Sequence, residues 1–233
     1  MSSKRSRRSS AGRDRLVPLP ASFYDRPTER VARDLLGRIL ECTANGVRCR
    51  GRIVETEAYL GEHDAACHAA AGRTPRTEVL YWAPGTAYVY LIYGMYWCAN
   101  AVTRRTGLPS AVLVRAVEPL EGIGAMRARR RVLADRDLTS GPGRLSQAMG
   151  IAGAHHGTTL FRAPVRILEG TKVRRSQVAV TPRIGMGPNA RDAADWPLRF
   201  LVRGNAYVSA RAQTATWMRA EKAEGRREKR AGK

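Results

Sequence analysis

Residues 86–103 read TAYVYLIYGMYWCANAVT, and this stretch predicts two strands that reverse direction at a tight turn. Both halves are rich in Tyr, Val and Ile, which favour strands, and Gly94 is the residue near the middle that is typical of a turn. A hairpin tip usually carries small polar residues, because these accept a positive φ and stay soluble. Here the neighbours of Gly94 are Tyr93, Met95 and Tyr96, so turn geometry alone does not explain the sequence.

Strand-like and helix-like segments continue on both sides of this stretch. The segments predicted to be strands cover residues 38–44, 47–60, 110–119, 158–170, 176–187 and 197–204, and the helical ones cover residues 24–37, 118–134 and 140–151. No repeat or internal linker separates them. The sequence therefore predicts one α+β domain of residues 17–218, between a disordered basic arm of residues 1–16 and a basic tail of residues 219–233.

The chain carries a formal net charge of +21, of which the arm supplies +5 and the tail +4. The remaining +12 lies on the predicted domain, and a folded body with this excess favours a polyanionic partner, above all nucleic acid. A merely soluble basic protein, or a chain associated with the ribosome, is the alternative interpretation of the charge.

The four cysteines contain no C-x-x-C pair, which favours a reduced intracellular protein without a disulfide framework or a structural zinc site. No apolar segment follows the basic N-terminus, and no run of 18 apolar residues occurs. We therefore expect a cytoplasmic protein with no secretion signal and no membrane partner.

Aromatic residues are concentrated around the tight turn. Seven of the fifteen aromatics lie within residues 81–97: Tyr81, Trp82, Tyr88, Tyr90, Tyr93, Tyr96 and Trp97. Such a cluster can be a strand pair that packs on a core, which is the commonest use of aromatics in strands. It can also be a surface that stacks on bases, or a wedge that enters between base steps. Both interpretations stay open on the sequence alone.

Residues 52–61, RIVETEAYLG, place two carboxylates near an aromatic ring. If this segment is a strand, its side chains alternate between a face that carries Glu55, Glu57 and Tyr59 and a core face that carries Val54, Thr56, Ala58 and Leu60. We expect the first face to be the open side, where a carboxylate could act as a general base. Two solvated glutamates on an exposed strand are the alternative.

A group of metal-ligating residue types follows shortly after this strand: His63, Asp64, Cys67 and His68. Their spacing matches no established zinc pattern, so the sequence favours no metal and no cofactor.

Several blocks in this order resemble the 3-methyladenine (alkyladenine) DNA glycosylase family: RIVETEAYLG, AACH, GRTPR, PGTAYVYLIYGMYWCANAV, VLVRAVEPLEG and SGPGRLSQAM. The resemblance covers about residues 19–209. It implies a single mixed domain with a curved antiparallel β-sheet, surrounding helices and a protruding β-hairpin that inserts into DNA. The segments 77–83 and 184–200 depart most from the family pattern, which affects the expected range of lesions more than the reaction.

The resemblance also implies the catalytic residues. The second glutamate of ETEAY, Glu57, corresponds to the general base that activates a water for attack on C1′ of a flipped nucleotide. The arginine of VLVRAVEP, Arg115, would help to hold that water and the carboxylate.

By the same resemblance, Tyr59, His68 and Tyr90 would stack around the extruded base, and Asn100 would exclude the 2-amino group of normal guanine. Tyr93 would fill the gap in the duplex, with Met95 and Tyr96 beside it in the minor groove.

The predicted partner is therefore double-stranded DNA with a damaged purine, and the predicted protein is a monomer in the bacterial nucleoid. Lys172 is the one lysine outside the arm and the tail, and it lies outside every block of the resemblance. An amine nucleophile is required for lyase chemistry, so we expect a monofunctional hydrolase that leaves an abasic site. A non-catalytic DNA- or RNA-binding protein is the alternative, and a metal-dependent nuclease is disfavoured.

Overall fold

The computed structural model describes residues 16–132 and 134–209, and this part of the chain forms eight strands and four short α-helices. The strands are β1 (Ile39–Ala44), β2 (Val47–Tyr59), β3 (Ala87–Ile92), β4 (Tyr96–Val102), β5 (Ala111–Glu121), β6 (Val165–Leu168), β7 (Val178–Thr181) and β8 (Arg199–Val202). The helices are α1 (Ala21–Tyr24), α2 (Thr28–Leu35), α3 (Ile123–Arg130) and α4 (Pro142–Met149). Short 3-10 segments include His68–Ala71, Glu78–Tyr81 and Pro188–Asp195.

The strands form one antiparallel sheet with β2 at its centre. The order along the main path is β3-β4-β5-β2-β1-β6. β1 pairs with the first half of β2, while β8 pairs with the second half at residues 55–57 and carries β7 on its other side. One domain with an antiparallel sheet and a few helices agrees with the α+β prediction.

The two faces of the sheet pack against different parts of the chain, because side chains alternate between the faces along each strand. On one face α2 packs against β2, and the Thr56 hydroxyl donates a hydrogen bond of 2.8 Å to the Ala32 carbonyl. The main hydrophobic core lies on this face and includes Val31, Leu35 and Val114. A smaller cluster of residues such as Cys67, Leu80 and Tyr88 lies on the opposite face.

β3 and β4 pair antiparallel from Ala87 opposite Ala101 to Ile92 opposite Tyr96, and residues 93–95 connect them. The Met95 amide donates to the Ile92 carbonyl at 3.1 Å. Both central positions, Tyr93 and Gly94, have positive φ, at 54° and 67°. This is the sign pattern of a type I′ turn, which matches the twist of the two strands.

Several predicted boundaries differ from the structure. The helix predicted for residues 24–37 is shorter in the structure, because Tyr24 is the last residue of α1, Pro27 caps the start of α2, and α2 ends at Leu35, before Gly37 with its φ of 85°. The helix predicted for residues 118–134 begins only after Gly122, whose φ of 78° separates it from β5.

The strand predicted for residues 158–170 is also too long, since only its last part pairs with β1 as β6. The predicted basic arm falls outside the described residues except for residue 16, and so does the whole predicted tail. Within the described part of the chain, no helix has the length and apolar character needed to cross a bilayer.

Candidate active site

Side chains from five neighbouring strands meet on the face of the sheet opposite α2. They are Glu55, Glu57 and Tyr59 from β2, Tyr88 and Tyr90 from β3, Cys98 and Asn100 from β4, Arg115 from β5, and Arg199 from β8. The shared face predicted for Glu55, Glu57 and Tyr59 is thus observed, although the pairing of β2 with β5 shifts register between residues 53 and 56 and the main core contains Ile53 instead of Val54. The prediction that this face is open is wrong for the two glutamates, because both are fully buried.

Glu57 is held by three hydrogen-bond donors within the described residues. One carboxylate oxygen accepts from the Tyr59 hydroxyl at 2.8 Å and from Arg115 Nη1 at 3.1 Å, and the other accepts from the Ile184 amide at 3.0 Å. A carboxylate offers about four lone-pair sites, so one site is left for a further donor. A water molecule is the simplest donor of that kind.

Glu55 is held differently. Its carboxylate accepts from Arg115 Nε at 3.1 Å, Arg199 Nε at 2.7 Å, the Ser209 amide at 2.6 Å and the Ser209 hydroxyl at 2.8 Å. Three of these donors are on Oε1 and one is on Oε2, and the side chain has no exposed surface. Of the two glutamates on this face, Glu55 binds both arginines, while Glu57 binds Arg115 and the Tyr59 hydroxyl.

The charges around Glu57 fix the protonation of its neighbours. Burial lowers the pKa of Arg115, but the carboxylates of Glu57 and Glu55 outweigh it and raise that pKa above its ordinary value. Burial, with the Glu57 carboxylate as the second cause, raises the pKa of Tyr59 well above its ordinary value. Arg115 thus stays cationic, and the Tyr59 phenol stays a donor to Glu57.

A buried ion pair that the sequence analysis missed supports this site. Arg183 binds both oxygens of Asp64, at 2.6 and 2.8 Å, and donates to the backbone carbonyls of Ala58 and Ala193. Its guanidinium lies 4.9 Å from the centre of the Tyr59 ring. Arg183 immediately precedes Ile184, so the ion pair positions the amide that binds Glu57.

A cavity of ≈ 330 Å³ opens beside Tyr59. Its lining includes all four residues predicted for the base pocket, Tyr59, His68, Tyr90 and Asn100, together with Tyr88, Ile92 and the backbone of residues 185–187. This volume suits a small aromatic ligand. Glu57 lies behind Tyr59, whose hydroxyl connects the cavity wall to the carboxylate.

Two walls of the cavity are fixed by polar contacts. His68 meets the Tyr90 ring edge-on at 4.5 Å, and its Nδ1 is 2.9 Å from the Tyr88 hydroxyl. Burial, with a smaller contribution from the Arg76 charge, lowers the pKa of His68 to about 4, so the ring is neutral at pH 7. Asn100 is buried, and its amide nitrogen donates to the Tyr88 carbonyl at 3.0 Å.

The residues predicted for the hairpin tip are exposed: Tyr93 to 78%, Met95 to 67% and Tyr96 to 44%. Ile92, which precedes them, lines the cavity, so the exposed tip begins at its edge. The aromatic residues around the turn therefore fall into a buried group and an exposed group. Trp97 packs partly against the main core, as the core interpretation expects, while the tip side chains face solvent.

The metal-ligating residue types do not converge. Among the described residues, no group of three His, Cys, Asp or Glu side chains could hold a metal ion. Arg183 occupies both oxygens of Asp64, and the His63 ring instead lies 6.4 Å from the ring of Trp196.

Comparison with known proteins agrees with the geometry. Residues 22–206 match the family model described as Methylpurine-DNA glycosylase. A Myxococcus xanthus protein named "Putative 3-methyladenine DNA glycosylase" is 51% identical over 82% of this chain and 93% of its own length. A Salinibacter ruber protein of the same name is 48% identical over 83% and 97%. The Homo sapiens protein named "DNA-3-methyladenine glycosylase" is 43% identical over 86% and 70%.

Proposed function

The chain belongs to the methylpurine-DNA glycosylase family and is a hydrolase of N-glycosidic bonds, and we propose that it extrudes an alkylated or deaminated purine from duplex DNA. In this proposal the purine enters the cavity beside Tyr59, and a water activated by Glu57 attacks C1′ of the sugar. The bond from C1′ to the base nitrogen breaks, the base leaves with that electron pair, and an abasic site remains. The observation that carries the proposal is the position of the buried Glu57 carboxylate, which accepts hydrogen bonds from Arg115 and from Tyr59, a residue that lines the cavity.

The neighbours of Glu57 have defined parts in this reaction. Arg115 orients the carboxylate, because it is held in turn by Glu55 and lies within 3.1 Å of both glutamates. The attacking water gives its proton to Glu57. A buried site strengthens these charge interactions compared with water.

The cavity supports recognition of an aromatic ligand. Tyr59, His68 and Tyr90 present ring surfaces to a base, and a neutral His68 does not repel a cationic alkylpurine. Asn100 donates to the Tyr88 carbonyl and is the residue that we expect to exclude the 2-amino group of normal guanine.

The turn between β3 and β4 supports the step that opens the duplex. Extrusion of a base costs a few kcal/mol, and an inserted side chain offsets part of this loss. Tyr93 is the most exposed of the three tip side chains, and we assign it the place of the missing base, with Met95 and Tyr96 beside it in the minor groove. The tip is thus proposed as a protruding hairpin that inserts into DNA.

Replacement of Glu57 by Gln tests the proposal. Gln keeps the shape but cannot take the proton of water, so base release from duplexes with 3-methyladenine or hypoxanthine should become undetectable in single-turnover assays. Lesion-duplex affinity should stay close to that of the wild type. Glu169→Gln, a change at an exposed glutamate, is the matched control and should keep full activity.

Full base release by the Glu57→Gln variant would contradict the mechanism. Binding without base release by the wild type would instead favour the non-catalytic DNA- or RNA-binding protein.

The expected absence of lyase activity has a separate test. Lys172 is exposed and lines a cleft that does not include Tyr59 or any other residue of the base pocket, which supports a monofunctional hydrolase. Incubation with a lesion duplex and borohydride should therefore trap no covalent adduct. A trapped adduct that disappears in the Lys172→Ala variant would overturn this part of the proposal.

A further inference from the structure

A second cleft, of ≈ 760 Å³, lies between α2 and residues 172–178. Its charged lining residues are Arg26, Glu29, Arg30, Arg33, Asp34, Arg38, Lys172 and Arg175. Six of these eight side chains are cationic and two are acidic. The cleft is thus strongly positive, and it is more than twice as large as the cavity at Tyr59.

This basic cleft is on the other face of the sheet from Glu57. Thr56 and Glu57 are consecutive on β2, so their side chains point to opposite faces, and Thr56 is the one that contacts α2. Phe200, which pairs with Thr56 across β2 and β8, lies under the guanidinium of Arg33 at 5.4 Å. The base pocket and the basic cleft therefore open in different directions.

The charge of the basic cleft is only partly compensated. Arg26 binds Asp34 at 2.8 Å. Within residues 16–132 and 134–209, no carboxylate forms an ion pair with Arg30, Lys172 or Arg175, and all three side chains are exposed. Like charges repel one another, so several cations gathered at one cleft with only two carboxylates, one of them paired with Arg26, favour a polyanionic ligand.

Aromatic contacts hold part of this charge in place. The guanidinium groups of Arg26 and Arg38 lie 4.4 and 5.6 Å from the centre of the Phe23 ring. Arg38 is also buried and donates to the Asp34 carbonyl. Cations that are already ordered lose little conformational entropy on binding, which strengthens the binding of an anionic ligand.

We propose that the basic cleft binds the phosphate backbone of a second DNA segment while the base pocket holds the first. The proposal rests on the proposed function for the choice of DNA as the polyanion. Duplex DNA is stiff, with a persistence length of about 150 base pairs, so one short straight duplex does not contact both faces of the sheet. The protein thus bridges two segments and can pass from one to the other without release into solution.

The test uses the full chain and two short duplexes, one labelled with an energy-transfer donor and one with an acceptor. Wild-type protein, present below the total duplex concentration, should give energy transfer between the labels. The triple variant Arg30→Ala, Lys172→Ala, Arg175→Ala should need a duplex concentration about tenfold higher for the same signal, an estimate for the loss of a few phosphate contacts. Base release from a single lesion duplex should stay at the wild-type rate.

The matched control is Arg30→Lys with Arg175→Lys, which keeps the charges and should keep the energy transfer. The arm and the tail are present in all three proteins, so a difference between them reports the cleft. Equal energy transfer by the Ala variant and the wild type would overturn the proposal. Binding of tripolyphosphate at the cleft, with no bridging of duplexes, would also overturn it, because the ligand would then be a small phosphate compound.

Failure of this proposal is distinguishable from failure of the proposed function. The Glu57→Gln variant should bridge duplexes like the wild type although it releases no base. A loss of bridging therefore contradicts only the binding of a second DNA segment at the basic cleft. A loss of base release contradicts only the proposed hydrolysis at Glu57.

Discussion

At the scale of single residues, Glu55 and Glu57 have the same chemistry and lie on the same face of the same strand. Their difference is in the number of donors that each accepts from the described residues. Glu55 has four, two of them from Ser209, while Glu57 has three. Breaking a buried ion pair on one side costs about 3–5 kcal/mol. Glu55, which joins Arg115 to Arg199, therefore contributes mainly to stability, whereas Glu57 joins Arg115 to Tyr59, which lines the cavity.

His68 gives a prediction at the same scale. Its pKa of about 4 in the folded protein lies below the ordinary value of 6.5, chiefly because the ring is buried. As the pH falls, the unfolded chain takes up this proton first, so the contribution of His68 to stability is complete above about pH 6.5 and is lost towards pH 4. The free energy of unfolding of the wild type should therefore fall over this window more steeply than that of His68→Gln.

Urea unfolding at pH 7, 5.5 and 4.5 measures this difference. Between pH 6.5 and 4 the wild type should take up as much as about one proton more on unfolding than His68→Gln. Above pH 7 the free energies of unfolding of the two proteins should change with pH by the same slope. Parallel pH dependences across the whole range would show that His68 is not held neutral.

At the scale of elements, the turn between β3 and β4 combines strain with exposure. Tyr93 has a φ of 54°, a region that favours glycine and costs other residues about 1–2 kcal/mol. Natural structures keep such strain where function needs the side chain. An exposed tyrosine in a strained position is therefore better explained by its proposed insertion into DNA than by folding.

Replacing Tyr93 separates the backbone strain at this position from the contribution of the ring to DNA binding. Tyr93→Gly and Tyr93→Ala both remove the ring and should weaken lesion-duplex binding by about tenfold, since stacking of one ring on a base contributes about 1–3 kcal/mol. Only Gly relieves the backbone, so the Gly variant should be more stable than the Ala variant by about 1 kcal/mol in urea unfolding. Wild-type affinity in either variant would contradict the assignment of the tip.

The start of β4 is supported by α4 through a close contact. A Cβ at Gly143 would lie 2.9 Å from the Cβ of Tyr96, which is attached directly to the backbone and cannot turn away. Gly143→Ala should therefore lower the free energy of unfolding by about 1–3 kcal/mol and weaken lesion binding, because Tyr96 is displaced.

Gly124→Ala is the matched control, since Gly124 is also the second residue of an eight-residue helix and has no atom within 4 Å of an added Cβ. This change should raise the free energy of unfolding by about 0.5–1 kcal/mol. Equal stability of the two Ala variants would mean that α4 does not hold Tyr96.

At the scale of the whole molecule, charge is divided between the two ends and the domain. The ends, residues 1–16 and 219–233, carry +9 of the net +21. We propose that they assist non-specific scanning of DNA.

Deletion of both ends should make the logarithm of the non-specific binding constant fall less steeply with the logarithm of salt concentration, because fewer counterions are released. Filter binding or fluorescence anisotropy between about 50 and 200 mM salt gives this slope. An unchanged slope would mean that the domain alone makes the phosphate contacts.

The local pattern of residue types was sufficient to predict much of the fold. Alternation along residues 47–60 predicted both β2 and the shared face of Glu55, Glu57 and Tyr59, because the period of two follows from the geometry of a single strand. Gly94 within a run of strand-forming residues located the turn in the same way. Boundaries that depend on contacts between distant segments, such as the short β6, were predicted less well.

The burial of the candidate base, in contrast, depends on parts of the chain that the pattern of β2 does not contain. Ser209 lies 154 positions after Glu55, and Ile184 lies 127 positions after Glu57. Only the folded chain brings these segments over β2, where they exclude water and supply donors.

The sequence by itself therefore determined the strands, the tight turn, the net positive charge and the family of this protein, since each of these depends on residue type and local spacing. The tertiary structure decided that Glu57 contacts the Tyr59 hydroxyl while Glu55 contacts Ser209, that Arg183 and Asp64 form a buried ion pair beside the Tyr59 ring, and that a basic cleft lies on the far face of the sheet. These features arise where segments far apart in the chain meet, and their free energies depend on burial and on partners that no local pattern specifies.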